Sequence, residues 1–223
     1  MGDRNQLLFV EQNASLFDGP FLEIGSRDYG DTQNLRALFS PKGHYIGIDA
    51  LEGAGVDRVV DLTQSMETIS AALDGKRFGT IFCMSVMEHC RQPFAMADAI
   101  THLLKPGGVL CLSVPFAWQF HGYPSDYWRF THEGVKQLFP TLVFDESLGH
   151  AALRDGEFNP LDTEIGKVAL STSLQRKAGK AGRAMGAGFL KMIGRTPAFG
   201  WALGHPYLLA PTMINMIGRN PAA

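Results

Sequence analysis

Apolar residues recur along this chain in short runs, and stretches of helical period separate them. Residues 5–17 carry Leu7, Leu8, Val10, Ala14 and Phe17 at near-helical spacing, which predicts a leading amphipathic helix. Asp18-Gly19-Pro20 is a turn, and Phe21-Leu22-Glu23-Ile24-Gly25 reads as a buried strand running into a glycine. A helix is expected from about Thr32 to Phe39, stopped by Ser40-Pro41-Lys42-Gly43. Strands are predicted at 44–49 and 56–62, a helix at 66–73, and a nearly all-apolar strand at 78–84. A helix at 93–104 ends on Lys105-Pro106-Gly107-Gly108, and a fifth strand follows at 109–114. A helix capped by Thr131 spans 131–139, and 141–144 reads as a sixth strand. Beyond Leu148 the pattern blurs, with one last strand expected at 165–171. Strands alternating with helices predict an α/β fold, a doubly wound and mostly parallel sheet with helices on both faces.

A chain of 223 residues suits one domain with an appendage. We place the domain at 1–175 and a basic, apolar C-terminal extension, expected to be helical, at 176–223. Three cysteines, Cys83, Cys90 and Cys111, form no metal-like spacing and point to a reducing compartment. The polar N-terminus lacks the apolar core of a secretion signal, so the expected location is the cytoplasm. Charge is split along the chain. Residues 1–164 hold all 22 acids and 12 of the 20 bases, and residues 165–223 hold the other 8 bases and no acid. The basic tail therefore either packs on something acidic in the protein or meets an anionic partner.

Chemistry-bearing residues stand at the ends of the predicted strands. Glu23 and Gly25 close the first, with Ser26 next; Asp49 and Ala50 follow the second, Asp61 and Leu62 the third, and Met84, Ser85, Glu88 and His89 the fourth. In a parallel sheet these ends share one edge and converge on one crevice. Gly25 lets the backbone approach a ligand, and Asp49 suits a ribose diol, against the plainer reading of a loop acid. Asp61 is either an adenine contact or a capping acid.

These motifs resemble class I S-adenosylmethionine-dependent methyltransferases. The resemblance rests on Leu22-Glu23-Ile24-Gly25-Ser26, Tyr45-Ile46-Gly47-Ile48-Asp49, Val60-Asp61-Leu62, Met84-Ser85-Val86-Met87-Glu88-His89 and Leu104-Lys105-Pro106-Gly107-Gly108. It covers residues 20–140 in the right order and implies a Rossmann-like fold with S-adenosylmethionine as cofactor. By it, Glu23, Gly25 and Ser26 would hold the methionine end, Asp49 and Ala50 the ribose, Asp61 and Leu62 the adenine, and Met84 and Ser85 would line the methionine side. The family's glycine loop is Glu-x-Gly-x-Gly-x-Gly, whereas this chain has Arg27 and Tyr29 at the later glycine positions. In some relatives an acid and histidine matching Glu88 and His89 hold a divalent metal. The further upstream acid is missing here, so no metal is expected.

The loop Pro115 to Phe130 falls on the same edge and is rich in aromatics. Loops over a rigid sheet carry substrate contacts. We expect Tyr123, Asp126, Tyr127 and Arg129 to meet the acceptor, with His121, Glu88 and His89 as catalytic candidates and His121 as first choice for a base. The alternative is a structural lid in which Asp126 pairs with Arg129 and Trp128 and Phe130 are core. In the tail, Arg176, Lys177, Lys180, Arg183, Lys191 and Arg195 interleave with apolar residues. That pattern fits contact with the inner membrane face, a homodimer interface or a helix covering the sheet. Residues 203–217 are apolar but broken by Pro206 and Pro211, so a membrane span is not expected there. Nucleic acid is not expected, because the crevice side is acidic. The function read from these features is methyl transfer to a small-molecule or glycan acceptor, on oxygen before nitrogen. The rivals are a nicotinamide-dependent oxidoreductase on a similar fold and a non-catalytic scaffold.

Overall fold

In chain order the elements are α1 (Arg4–Gln12), β1 (Phe21–Ile24), α2 (Leu35–Phe39), β2 (Tyr45–Asp49), β3 (Arg58–Val59), α3 (Met66–Ala72), β4 (Phe78–Met84), α4 (Pro93–Leu103), β5 (Leu104–Pro115), α5 (His132–Leu138), β6 (Val143–Phe144), β7 (His150–Arg154), β8 (Glu157–Pro160) and β9 (Met213–Arg219). This computed structural model describes residues 4–30, 34–122, 125–154, 157–161 and 211–222, and within 162–210 only residues 182, 185, 186, 188, 189, 192 and 196. The chain forms two compact units, Met1–Leu161 with Thr212–Ala223, and Asp162–Pro211. The second unit contributes exposed Met185, Phe189 and Met192. The tail cations singled out above and the strand expected at 165–171 lie outside the described residues. Among the described residues, no helix is long and apolar enough to cross a membrane.

The first unit is built on one sheet of order β3-β2-β1-β4-β5-β9-β7-β8, with β6 pairing β9. From β3 to β5 every pairing is parallel. The order reverses between β1 and β4, and at such a switch point the connections leave in opposite directions and open a crevice at the strands' carboxyl ends. β1 is central and short. β2 and β4 flank both its edges, and Phe21, Leu22 and Ile24 are buried.

One face of the sheet carries an aromatic core. Phe17, Phe21, Phe39 and Phe82 meet with ring centroids 4.8–6.3 Å apart, and Phe9 and Val10 of α1 pack into the same cluster. Each buried ring removes a large apolar area from water, which is why a helix of only nine residues holds its place. Side-chain caps fix the starts of α2, α3 and α5, whereas α4 opens on Pro93 without one. Ser65 accepts from the Thr68 amide, Thr131 from Gly134 and Asn34 from Ala37.

Several expectations are corrected. The helix expected from Thr32 is the five-residue α2, and Thr32 itself lies outside the described residues. The strand expected at 56–62 shrinks to β3, because Asp61, Thr63 and Gln64 bond among themselves rather than to a ladder. The turn at Lys105–Gly108 is drawn into β5, where Leu104 already pairs with Phe78 and the register then shifts. The largest difference is β9. Residues 213–219, expected within a helical extension, form an antiparallel strand paired with β5 from Val109↔Arg219 to Pro115↔Met213. β7 and β8, which the blurred pattern past Leu148 did not announce, continue the sheet beyond it.

Candidate active site

β1 ends where the chain must turn sharply. Gly25 adopts φ +74, and a Cβ there would lie 2.5 Å from Val86 Cγ2. Glycine is required on both counts. The amides of Gly25 and Ser26 both donate to the Ile48 carbonyl, at 2.9 and 3.0 Å, which ties this turn to β2. Across the switch point, Ser85 follows β4 at φ +55, an uncommon conformation for a residue with a side chain. It is held by its amide bond to the Ser113 carbonyl, 2.9 Å, and by Gln6 Nε2 of α1, which donates to Ser85 Oγ at 2.5 Å and Ser113 Oγ at 3.0 Å.

Between these turns lies a cavity of about 560 Å³. Its walls bring together Gly25, Asp49, Ala50, Asp61, Leu62, Met84, Ser85, Glu88, His89 and His121 from the sequence-derived site. A second depression, at Gly19, Pro20, Lys42, Gly43, His44, Lys76, Arg77 and Lys105, lies at the opposite, amino ends of the strands. Ligands of open α/β sheets bind at the carboxyl ends, and the first cavity gathers Asp49, Asp61 and Glu88 with His89 and His121.

The acids at the nucleoside side are prepared by local turns. Asp49 Oδ1 accepts from the Leu51 amide at 2.9 Å. Asp61 Oδ1 accepts from the amide and hydroxyl of Thr63, 2.9 and 2.7 Å, and Oδ2 lies 3.4 Å from Gln64 Nε2. Partial burial works against ionisation of Asp61, but these bonds outweigh it and hold the carboxyl below its usual range. Glu23 departs from the expectation and does not line the cavity. Its Oε2 accepts from the Tyr45 hydroxyl at 2.8 Å, and burial raises its pKa. Ser26 does not line it either; its Oγ is buried without a partner among the described residues.

The opposite wall carries two histidines and an acid. Glu88 is 1% exposed, and Oε2 has no hydrogen-bond partner among the described residues. Burial pushes its pKa to about 8. His89 Nδ1 lies 2.5 Å from the Ser125 carbonyl, which can only accept, so the neutral ring carries its proton on Nδ1 and leaves Nε2 basic. Burial lowers the His89 pKa, so the neutral ring is favoured. The His121 ring stands edge-on to His89 at 4.9 Å. Ligand atoms of Glu88, His89 and His121 all lie within 4.8 Å of one another, a grouping that a divalent cation could also bridge.

The aromatic loop is divided. Trp118 and His121 line the cavity, whereas Asp126, Tyr127 and Arg129, expected to face the acceptor, do not. Tyr127 instead anchors the loop: its amide donates to the Glu88 carbonyl at 2.8 Å, and its hydroxyl accepts from Arg91 Nε at 2.9 Å. Phe130 is buried, as the lid reading has it, but Trp128 is exposed rather than core, because its ring reaches across so that Nε1 donates to the Cys90 carbonyl at 2.8 Å. Tyr123 lies outside the described residues. Arg27 and Tyr29, seen in the sequence only as missing glycines, line the cavity, with the Arg27 guanidinium 5.2 Å from the Tyr29 ring centroid. Met213 also lines it, brought by β9 from the far end of the chain, and no local signal marked it.

A family model described as a methyltransferase domain matches residues 8–151. The ubiquinone biosynthesis O-methyltransferase of Xylella fastidiosa is 28% identical over 117 residues, covering 48% of this chain and 46% of that protein. The chain thus spans about half the length of the curated relatives it matches. Among solved structures, a SAM dependent methyltransferase from Archaeoglobus fulgidus superposes with TM-score 0.55 at 14% identity, covering 98% of this chain and 95% of that one. A Burkholderia thailandensis 1,6-didemethyltoxoflavin-N1-methyltransferase, solved with S-adenosylhomocysteine, superposes with TM-score 0.53 at 12% identity, covering 97% and 76%. At these identities the likeness is one of fold.

Proposed function

The chain belongs to the methyltransferase-domain family, and from that premise we propose that it transfers a methyl group from S-adenosylmethionine to an oxygen of a small-molecule or glycan acceptor. One observation carries the reading. Gly25, Asp49, Asp61 and Ser85, each at the end of a different strand, border the same cavity, whose other wall holds Glu88, His89 and His121.

The residues fit the cofactor. Asp49, anchored by Leu51, is placed to accept from ribose hydroxyls, and Ala50, Asp61 and Leu62 adjoin it as an adenine border. Gly25, Met84 and Ser85 form the methionine side, with Gly25 keeping the turn open. Bound S-adenosylmethionine supplies a methyl group on a sulfonium, whose bond to sulfur breaks as an acceptor lone pair attacks the carbon from the opposite side. What the protein adds is mostly alignment. His121 is the first choice to take the acceptor's proton, and His89 and Glu88 complete the wall that receives the acceptor. The basic tail is proposed as a contact for the inner membrane face or for a second copy of the chain.

Calorimetry tests the assignment. S-adenosylmethionine and S-adenosylhomocysteine are expected to bind and NAD not to bind. Asp49→Ala should weaken S-adenosylhomocysteine binding by about 1.5–3 kcal/mol, the range for a hydrogen bond to a charged group. Binding of NAD alone would move the protein to the oxidoreductases, and binding of none would make it a scaffold. Turnover is expected to survive a chelator. Loss restored by a divalent cation would instead make Glu88, His89 and His121 metal ligands.

A further inference from the structure

We propose that Asp126 is a positioning residue: it holds the proton of His121 on Nδ1 and so leaves Nε2 as the basic nitrogen available to the acceptor. The inference rests on the reading of His121 as the base, and it gives Asp126 and Arg129 a task other than substrate contact.

The Asp126 side chain is 1% exposed and does not line the cavity. A buried carboxylate needs partners, and this one has a full set. Arg129 grips it with both arms of the guanidinium, NH1 to Oδ1 at 2.5 Å and NH2 to Oδ2 at 2.7 Å. The His121 amide donates to Oδ2 at 3.0 Å, and His121 Nδ1 lies 3.1 Å from the same oxygen. With Arg129 beside it, the carboxyl stays well below its ordinary pKa and remains an acceptor.

The second neighbour of His121 Nδ1 is the Gln119 carbonyl, 3.3 Å away. Nδ1 therefore faces two acceptors. A proton there has hydrogen-bond geometry toward the Gln119 carbonyl and lies against the Asp126 carboxylate, whereas a lone pair there would meet two others. Among the described residues, the charged or titratable groups around the ring include Glu88 and His89 on the turn after β4, and Asp126 and Arg129 on its own loop. Arg129 also donates to the Trp118 and Gln119 carbonyls, both at 3.2 Å, so one cation holds the carboxylate and the backbone leading to the base.

In the step this arrangement serves, the acceptor's O–H proton passes to His121 Nε2. The oxygen lone pair forms the bond to the methyl carbon, and the carbon–sulfur pair leaves on sulfur as S-adenosylhomocysteine. The imidazolium that results keeps Asp126 against Nδ1–H. Asp126 stays ionised throughout, as the carboxylate of a His–Asp pair does.

Nitrogen-15 spectra of the histidine rings test the placement without any turnover. Wild type is expected to show His121 as the Nδ1–H form. Asp126→Asn can offer an N–H to Nδ1 and should move the ring toward Nε2–H. In the same variant, S-adenosylhomocysteine release with a panel of simple phenols and sugars should fall about 100-fold or more in kcat, the contribution expected of a positioned base. Acceptor KM and cofactor affinity should stay near wild type, and Asp126→Glu should recover part of the loss. A His121 ring that is Nε2–H in wild type, or that ignores Asp126→Asn, overturns the inference. If Asp126→Asn does not fold, Arg129→Lys keeps the charge but loses the fork and should weaken the same preference; an unchanged spectrum again overturns it. Full turnover in His121→Ala would overturn the base role beneath the inference, a result separable from the spectra.

Discussion

Glu88 shows how much one buried carboxyl can ask of its surroundings. Burial raises its pKa from the ordinary 4.5 to about 8, and its ion-pair neighbour, His89 Nε2 at 3.9 Å from Oε1, is a ring whose own burial favours the neutral form. Between those pH values the folded protein holds a proton that the unfolded chain has released, so stability falls as pH rises through this window. Glu88→Gln removes the titration. Its melting temperature is expected to match wild type near pH 5 and to exceed it by several degrees near pH 8.5. A gap that does not change with pH would mean that Glu88 ionises freely in the folded state. The same burial makes Glu88 a hydrogen-bond donor toward the cavity at neutral pH, complementary to the basic Nε2 atom that neutral His89 retains. Glu23, the other strand-end glutamate, took a different course. Tyr45 claimed it, so its contribution is to join β1 and β2 rather than to touch a ligand.

At the scale of elements, the site is made by two turns that face one another across the switch point. Gly25→Ala would force a side chain into φ +74 and set its Cβ against Val86. We expect it to cost about 1–3 kcal/mol of stability in denaturant titration. Gly25→Ala combined with Val86→Ala should recover the part due to the clash and leave the backbone strain. Full recovery in the double variant would mean that the left-handed conformation costs nothing here. The loop from Pro115 to Phe130 works by the same logic. Tyr127, Trp128 and Arg129 spend their polar groups on the Glu88, Cys90, Trp118 and Gln119 carbonyls, so the loop has a defined path over the cavity. From sequence Tyr127 and Arg129 read as acceptor contacts because aromatic and charged types in a loop serve both purposes. Which purpose wins depends on neighbours that the loop's own sequence does not name.

For the first unit as a whole, β9 is the element that completes the sheet. It covers the edge of β5 from Val109 to Pro115, and Ile214, Met216 and Ile217 are buried. A chain ending before Thr212 would expose that edge, with apolar side chains beside unpaired amides. Such a chain is expected to aggregate and to lose its cooperative melting transition; a sharp, unchanged transition would show that the strand is dispensable. The sequence by itself determined the alternation of strands and helices up to β5, the helix cap at Thr131, and the strand-end residues Gly25, Asp49, Asp61 and Ser85. Those features depend on period, turn chemistry and capping, which act over a few residues and are written where they act. Only the tertiary structure decided that residues 213–219 are a strand, that Met213 and Trp118 wall the cavity, that Glu23 turns to Tyr45, and that Asp126 lies 3.1 Å from His121 Nδ1. An apolar run is equally content in a helix or a strand, and a carboxylate binds whichever donor is brought within reach. Both choices are made by distant partners meeting in space, so no local pattern records them.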